Sequence, residues 1–503
     1  MAPSSPDDWS NRALAFEAAR DLAGALDAWQ HALAEDPQSL DIAAQLARLA
    51  FRLAMWDLAE KLYAHLITQG RHDVVTVKAY AETLREQSRF GEAIDVLKSM
   101  LDQQPAEEAL WEALGTILSA QGDNATALVF FNEAVRLAPD DFNIRFHRAC
   151  ALLDQGETRD GLSEVVACAE AFRDPDNRAS AGITAAQAYL ATGDLTQGWR
   201  WYAARHRAGT QAEVHYALDL PRYAPGAPVR GQRLLLSAEQ GLGDEILFAS
   251  LLPDVLGDVA RLGIAVEPRL VELFRRSFPT AEVMAHRTRT IDGRTVRDFP
   301  GLDAQAFDLY GVLGDLLPLK RASVADFPLS NSFLQPAPDR VGHWHGYLSA
   351  LGRKPKVGIL WKSLKANAQR DRYFAPFSEW QNLLGQDGLT FINLQYGDSD
   401  AEQAAAGGHL HTPAGIDLKN DLDDLAALCR ACDLVLGPSN ATTNIAAACG
   451  VRTWVLSTPG TWLKLGQDGY PWYPTARVFV PESLNDWSPV MAEIAAALST
   501  YLL

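Results

Sequence analysis

Small residues recur at a fixed interval in the first two hundred positions. Ala25, Ala59, Ala93 and Ala127 stand 34 residues apart, and four positions after each comes a large apolar side chain: Trp29, Tyr63, Leu97, Phe131. Twelve positions after each alanine the chain reads Pro37, Arg71, Pro105 and Pro139. Small residues let two antiparallel helices approach closely, large ones fill the gap to the next unit, and proline ends the second helix. The fullest unit holds Trp111, Leu114, Gly115, Leu118, Gly122, Ala127, Phe131, Ala134 and Pro139. The register continues through Gly156, Gly161 and Val165, then Gly193, Gly198 and Tyr202.

This period resembles the tetratricopeptide (TPR) repeat, a helix–turn–helix unit of about 34 residues. About six units are expected, ending near residue 208. Solenoids of this kind bind peptides or protein surfaces along a concave groove, so this half implies a protein partner.

The pattern then changes. Residues 219–232, DLPRYAPGAPVRGQ, are rich in proline and glycine and read as a linker. Strands are expected at 233–238, 264–267 and 281–285, with a helix at 270–278. A second set of strands falls at 357–361, 390–394, 434–437, 453–457 and 477–480. Its helices are expected at 377–384, 422–431, 441–449 and 489–502, and residues 339–353 link the two sets. Alternation of strand and helix implies parallel sheets covered by helices. The fold class is therefore α plus α/β: a solenoid over 1–208, then two Rossmann-like halves over 209–338 and 339–503. Ligands of such sheets sit at the carboxyl ends of the strands.

Composition narrows the function. The chain has 503 residues, 48% hydrophobic and 21% charged, with a formal net charge of −18. That balance argues against a nucleic-acid partner, which needs a basic face. Five cysteines do not suggest a disulfide framework. The polar, acidic start lacks the features of a secretory signal, and no apolar run is long enough to span a membrane, so a cytoplasmic protein is expected.

Three stretches could carry chemistry. In EQGLGD, Gly241 and Gly243 allow a tight turn after a strand, and Asp244 falls at a helix start. Asp244 reads equally as a helix cap or a catalytic base, with Glu239 its nearest competitor. In GPSNATTNIAAACG, a helix starting near Ala441 would point free N–H groups and its positive end outward. Thr442, Thr443 and Asn444 would supply those donors, with Ser439 and Asn440 adding side-chain ones; ordinary capping by Ser439 or Asn440 is the alternative. In WKSLKANAQRDRYF, the cations Lys362, Lys365, Arg370 and Arg372 follow a strand, either to neutralise phosphate or as a solvated loop. Cys429 and Cys432 form a CxxC with no second pair, and His343/His345 and His409/His411 read as loop residues, so no metal site is expected.

Together these features resemble bacterial TPR proteins with a C-terminal GT-B glycosyltransferase domain. The C-terminal part is similar to lipopolysaccharide heptosyltransferases and, more distantly, to O-GlcNAc transferases. The marks are the run from Gly193 through Trp199 to Arg205, Ala238 to Asp244, Val357 to Trp361, Asp371-Arg372, Leu394-Gln395, Asp433-Leu-Val, Ala446 to Gly450, and Trp472-Tyr-Pro474. Many relatives carry an Asp-Thr/Ser pair and a His-Leu-Ala-Gly run where this chain has Pro438-Ser439 and Asn444-Ile445-Ala446-Ala447. The resemblance implies metal-independent transfer of a sugar from a nucleotide-sugar donor, with no resident cofactor. It implies Asp244 or Glu239 as base, and a donor site of Gly241, Gly243, Lys362, Arg370, Arg372, Gln395, Ser439, Asn440, Thr442, Thr443 and Asn444. A hydroxyl of a protein such as flagellin, bound by the repeats, is the implied acceptor; the alternatives are a glycan or lipid acceptor, or a non-catalytic scaffold with a degenerate GT-B domain.

Overall fold

A computed structural model describes residues 5–206, 210, 213–239, 241–291, 294–328, 332–363, 372–484 and 486–501. The chain falls into two compact units, with the boundary after Ala171.

The first unit is a run of antiparallel helix pairs from Pro6–Ala18 to Thr158–Ala171. The period has the physical basis read from the sequence. Ala25, Ala59, Ala93 and Ala127 are fully buried, and Trp29, Tyr63, Leu97 and Phe131 pack beside them. A Cβ on Gly115 would meet the Phe131 ring at 2.8 Å, so the absence of a side chain lets the two helices close. Phe131→Ala is expected to cost about 3–5 kcal/mol, read as a lowered thermal midpoint of the full chain. A loss below about 1 kcal/mol would mean that the ring is not part of the packing.

A polar ladder with steps of 34 and 35 residues crosses three repeats. Glu112 accepts hydrogen bonds from Lys78 Nζ at 2.9 Å and His147 Nδ1 at 2.8 Å. Burial alone would raise the Glu112 carboxyl, but these two partners bring it down to about 2.

The second unit begins with two more helices, Pro175–Ala191 and Leu195–Tyr202. The repeat register assigns them to the solenoid; the structure seats them on the α/β part. Gly193, in the left-handed region at φ +85°, lies so close to the 465–466 turn that a Cβ on Gly466 would meet its Cα at 2.8 Å. Trp199 Nε1 donates to Arg321 O at 2.7 Å. Trp472, fully buried, lies edge-on to Trp199, Trp462 and Phe327 and against Phe248. One tryptophan thus joins the helical pair to both halves of the α/β region.

Among the described residues, three sheets follow. Strands β2 (Arg233–Ser237), β3 (Arg261–Val266), β4 (Glu282–Ala285) and β7 (Leu309–Val312) form a parallel sheet ordered β4-β3-β2-β7. Strands β8 (Lys356–Ile359), β9 (Thr390–Asn393), β10 (Leu410–His411), β11 (Leu434–Pro438), β12 (Thr453–Leu456) and β13 (Arg477–Phe479) form a parallel sheet ordered β10-β9-β8-β11-β12-β13. The order reverses beside β8 as it does in a doubly wound sheet, which places a crevice between the carboxyl ends of β8 and β11. The smaller sheet reverses likewise between β2 and β7.

A third sheet pairs β1 (Val214–Tyr216) and β5 (Arg287–Ile291) with β6 (Arg294–Asp298), an element without strong apolar alternation and absent from the sequence reading. The proline-rich segment is no free linker. Tyr223 is buried, its N–H donates to Tyr310 O, and Tyr310 N–H donates to Pro221 O, so the segment edges β7. The linking segment forms a helix, Pro338–Ser349, docked on Leu422–Ala431: Arg340 makes two 2.7 Å bonds to Asp424, and Trp344 Nε1 a third at 2.8 Å. His343 and His345 lie on this helix rather than in a loop.

Candidate functional site

Two of the three stretches meet. The glycine turn after β2 and the start of the helix Ala441–Ala448 after β11 face each other, joined by Asn444 Nδ2 donating to Gly243 O at 2.9 Å. A Cβ on Gly243 would come within 3.7 Å of Asn440 and of the Asn444 amide, so the turn lies directly on the helix start.

Asp244 stands in the first turn of the helix Leu242–Phe248 and makes no capping hydrogen bond. Its carboxylate folds back over Gly241 and keeps an open face. Desolvation by the surrounding protein and the charge of Glu239 push it up to about 7, against a smaller pull from Arg205. Such a carboxyl exchanges its proton near neutrality, as a general base requires.

Glu239 has a different setting. It is buried, accepts Gly314 N–H at 2.6 Å, and pairs with Arg205. Arg205 also donates to Asp315 Oδ1 at 2.7 Å, and His206 Nε2 meets the same oxygen at 2.6 Å. This ionic cluster lies just beyond the carboxyl ends of β2 and β7. Glu239 is therefore a buried anchor, not an open base. Behind the turn, buried Arg297 donates to Ala238 O at 2.6 Å and to Glu239 O at 3.3 Å. Glu245, also buried, accepts Glu267 N–H at 2.9 Å and is pushed up to about 8, chiefly by burial.

At the helix start the structure takes the second of the two sequence readings, capping by Asn440. Asn440 Oδ1 accepts from Thr442 N and Thr443 N, and Thr443 Oγ1 accepts from Asn440 N, a reciprocal cap. The donors offered to an anion are thus taken by Asn440, because a buried helix start must satisfy its own N–H groups. Thr442, Thr443 and Asn444 are buried and serve packing and capping. Ser439 N–H donates to Leu456 O, leaving its hydroxyl beside Tyr470.

Gln395 is corrected as a ligand residue as well. Its Oε1 accepts from Trp361 N and Lys362 N, and its Nε2 donates to Lys362 O and Tyr396 O. That side chain ties the ends of β8 and β9 together and has no hydrogen bond to spare. Lys362 is ion-paired with Glu402, so its charge is already compensated. Arg372 donates to the Tyr373 hydroxyl and lies over that ring. Arg370 and Lys365 lie outside the described residues.

Cys429, Cys432 and Cys449 are buried free thiols; burial pushes Cys432 and Cys449 up to about 12, which makes them poor nucleophiles and ligands. Arg205, Tyr202, Asp315 and Tyr470 are missing from the sequence-derived site. Only the Gly193–Arg205 run, read as a mark of resemblance, pointed toward any of them. Among the described residues, no helix is long and apolar enough to cross a membrane.

A comparison with protein-family models agrees with the repeat reading. A tetratricopeptide-repeat family model matches residues 84–153. A solved thermophilic TPR protein of Thermus thermophilus is 22% identical, with a TM-score of 0.32, over 37% of this chain and all of that one. Superkiller protein 3 of Schizosaccharomyces pombe is 24% identical over 175 residues, 33% of this chain and 13% of that protein. Protein FlbA of Caulobacter vibrioides is 43% identical over 501 residues, 98% of this chain and 84% of that protein. A likeness of that extent covers the repeats and the α/β region together, and the chain belongs to the FlbA family of bacterial TPR-repeat proteins.

Proposed function

We propose that the protein is a glycosyltransferase of GT-B type that moves a sugar from a nucleotide-sugar donor to a hydroxyl of a protein. A flagellin serine or threonine presented by the repeats is the acceptor the resemblance favours. The observation that carries this reading is Asp244: an open carboxyl raised to about 7, beside the start of the helix Ala441–Ala448.

In the proposed reaction Asp244 takes the proton of the acceptor hydroxyl. That oxygen attacks the anomeric carbon, the bond from that carbon to the phosphate oxygen breaks, and the electron pair leaves with the phosphate. The positive end of the helix faces the developing charge, and Lys362 joins it on exchanging Glu402 for phosphate. The nucleotide sugar is a substrate, and the reading calls for no resident cofactor or metal.

A second reading is a binding scaffold without activity. It is favoured by the donors that Asn440 has already taken and by the Lys362–Glu402 pair. Calorimetric titration of the full chain with UDP, GDP, ADP and CMP separates the two. Micromolar binding of one nucleotide, followed by label transfer from its sugar to a protein acceptor, supports the transferase. Absence of binding to all four leaves the scaffold.

A further inference from the structure

The sheet β1-β6-β5 has two unlike faces. On the inner one, buried Arg297 donates to Ala238 O and lies 6.0 Å from the Tyr216 ring centre, and Tyr216 packs against Tyr310 of β7. Thr288 stands opposite Arg297 in the register and donates no charge to that face; its hydroxyl accepts from Arg297 Nε at 3.3 Å. Alternate residues form the outer face: Arg294, Val296 and Asp298 on β6, with Ile291, Arg289 and Arg287 opposite them on β5.

Strand β5 is an edge. Among the described residues it pairs with β6 alone, and every residue from Arg287 to Ile291 is exposed. Two residues separate Ile291 from Arg294, so this closing pair bonds across the hairpin, and Arg289 with Val296 does likewise. Thr288 and Thr290 therefore turn their N–H and C=O groups to the open side, where another strand can pair with them. The edge is basic in a chain of net charge −18. Arg287 and Arg289 share one carboxylate, Asp298, and Arg294 adds a third cation to the same face. A cavity of about 550 Å³ lined by His215, Ile291, Arg294 and Val296 opens beside it.

We propose that the open edge of β5 takes up an extended, acidic segment of a partner protein as a fourth strand of this sheet. Main-chain hydrogen bonds to Thr288 and Thr290 hold the segment, and carboxylates on its outer face meet Arg287, Arg289 and Arg294. The cavity receives one glutamate, with its methylenes against Ile291 and Val296 and its carboxylate on Arg294. A lipid headgroup would meet the cations but leave the outward N–H and C=O groups without strand partners, so a peptide is the better match. The inference does not depend on the transferase reading.

The test is fluorescence anisotropy of a labelled, capped peptide of alternating glutamate and valine, titrated with the full chain. Wild type is expected to bind it, less tightly as salt rises, and not to bind the lysine–valine counterpart. Thr290→Pro removes an outward N–H while sparing the pairing with β6, and Arg294→Glu reverses a charge; each should weaken binding about tenfold. Thermal unfolding without peptide checks that both variants fold. The same peptide N-methylated at its valines keeps the charge but loses the N–H groups that face β5, so it tests strand addition on wild type alone, and it should bind about tenfold more weakly. Equal binding of the N-methylated peptide would reduce the contact to charge attraction and overturn the proposal. So would failure of wild type to bind the glutamate–valine peptide. Binding to phosphatidylglycerol vesicles instead of the peptide, unchanged in Thr290→Pro, would make the patch a membrane contact and overturn it as well.

Discussion

Arg205→Ala is expected to destabilise the second unit by about 3–5 kcal/mol, the cost of leaving buried charge without its partner. Arg205 is 8% exposed, and it is the cation shared by Glu239 and Asp315, which are 5% and 1% exposed. Its guanidinium also stacks 4.7 Å from the Tyr202 ring centre. Removing it leaves His206 and the more distant Arg222 to compensate Asp315, and among the described residues leaves Glu239 with Gly314 N–H. Lysine should recover only part of the loss, because an ammonium cannot reproduce a fork that spans two carboxylates.

Urea unfolding followed by tryptophan fluorescence is a suitable readout, since Trp199 and Trp472 pack together beside this cluster. Adding Glu239→Gln and Asp315→Asn to Arg205→Ala should restore much of the stability. A loss below about 1 kcal/mol in the single variant would show that solvent reaches the cluster. The pH dependence has a defined sign. Burial would raise Asp315, but His206 and Arg205 hold it well below its ordinary 3.8. Its contribution is therefore complete above 3.8 and is lost as the pH falls toward the folded value.

Asp244→Asn is expected to lower sugar transfer by about 10²–10⁴-fold, the usual contribution of a general base. Nucleotide affinity should change little, because the amide keeps the shape of the carboxyl. Wild-type transfer should rise with pH through a midpoint near 7, as the carboxyl ionises, and the variant should lose that dependence. Stability moves the other way. A carboxyl raised from 3.8 to about 7 favours folding while protonated, and that contribution is lost as the pH rises through 7. At pH 8 the asparagine variant should thus be at least as stable as wild type while nearly inactive. Full transfer by Asp244→Asn would remove Asp244 from the chemistry; equal loss of transfer and of stability would reduce it to a structural residue.

Local pattern and propensity were sufficient for most elements. The 34-residue period located the helix pairs because each repeat buries the same positions against its neighbour. The core strands of the parallel sheets, such as Leu434–Pro438, were legible as short apolar runs because both of their faces are covered. The helix Ala441–Ala448 began where its small polar cap residues stood.

What escaped the sequence was every property that depends on a partner far along the chain. Gly193 and Gly198 fit a sixth repeat, yet the surface of the 465–466 turn and the Trp472 ring places that helix pair in the second unit. Lys362 carries a charge in either reading, but only the fold brings Glu402 to it. Gln395 has free amide groups in the sequence and none once β8 and β9 lie side by side. The roles of Asp244 and Glu239 were left open by the sequence and separated by tertiary contact. One carboxyl lies within a sealed ionic cluster held by Arg205, and the other lies in its field with an open face. Sequence fixes which groups can ionise or donate; the desolvation and neighbours that decide whether they do are set by residues from 34 to 201 positions away.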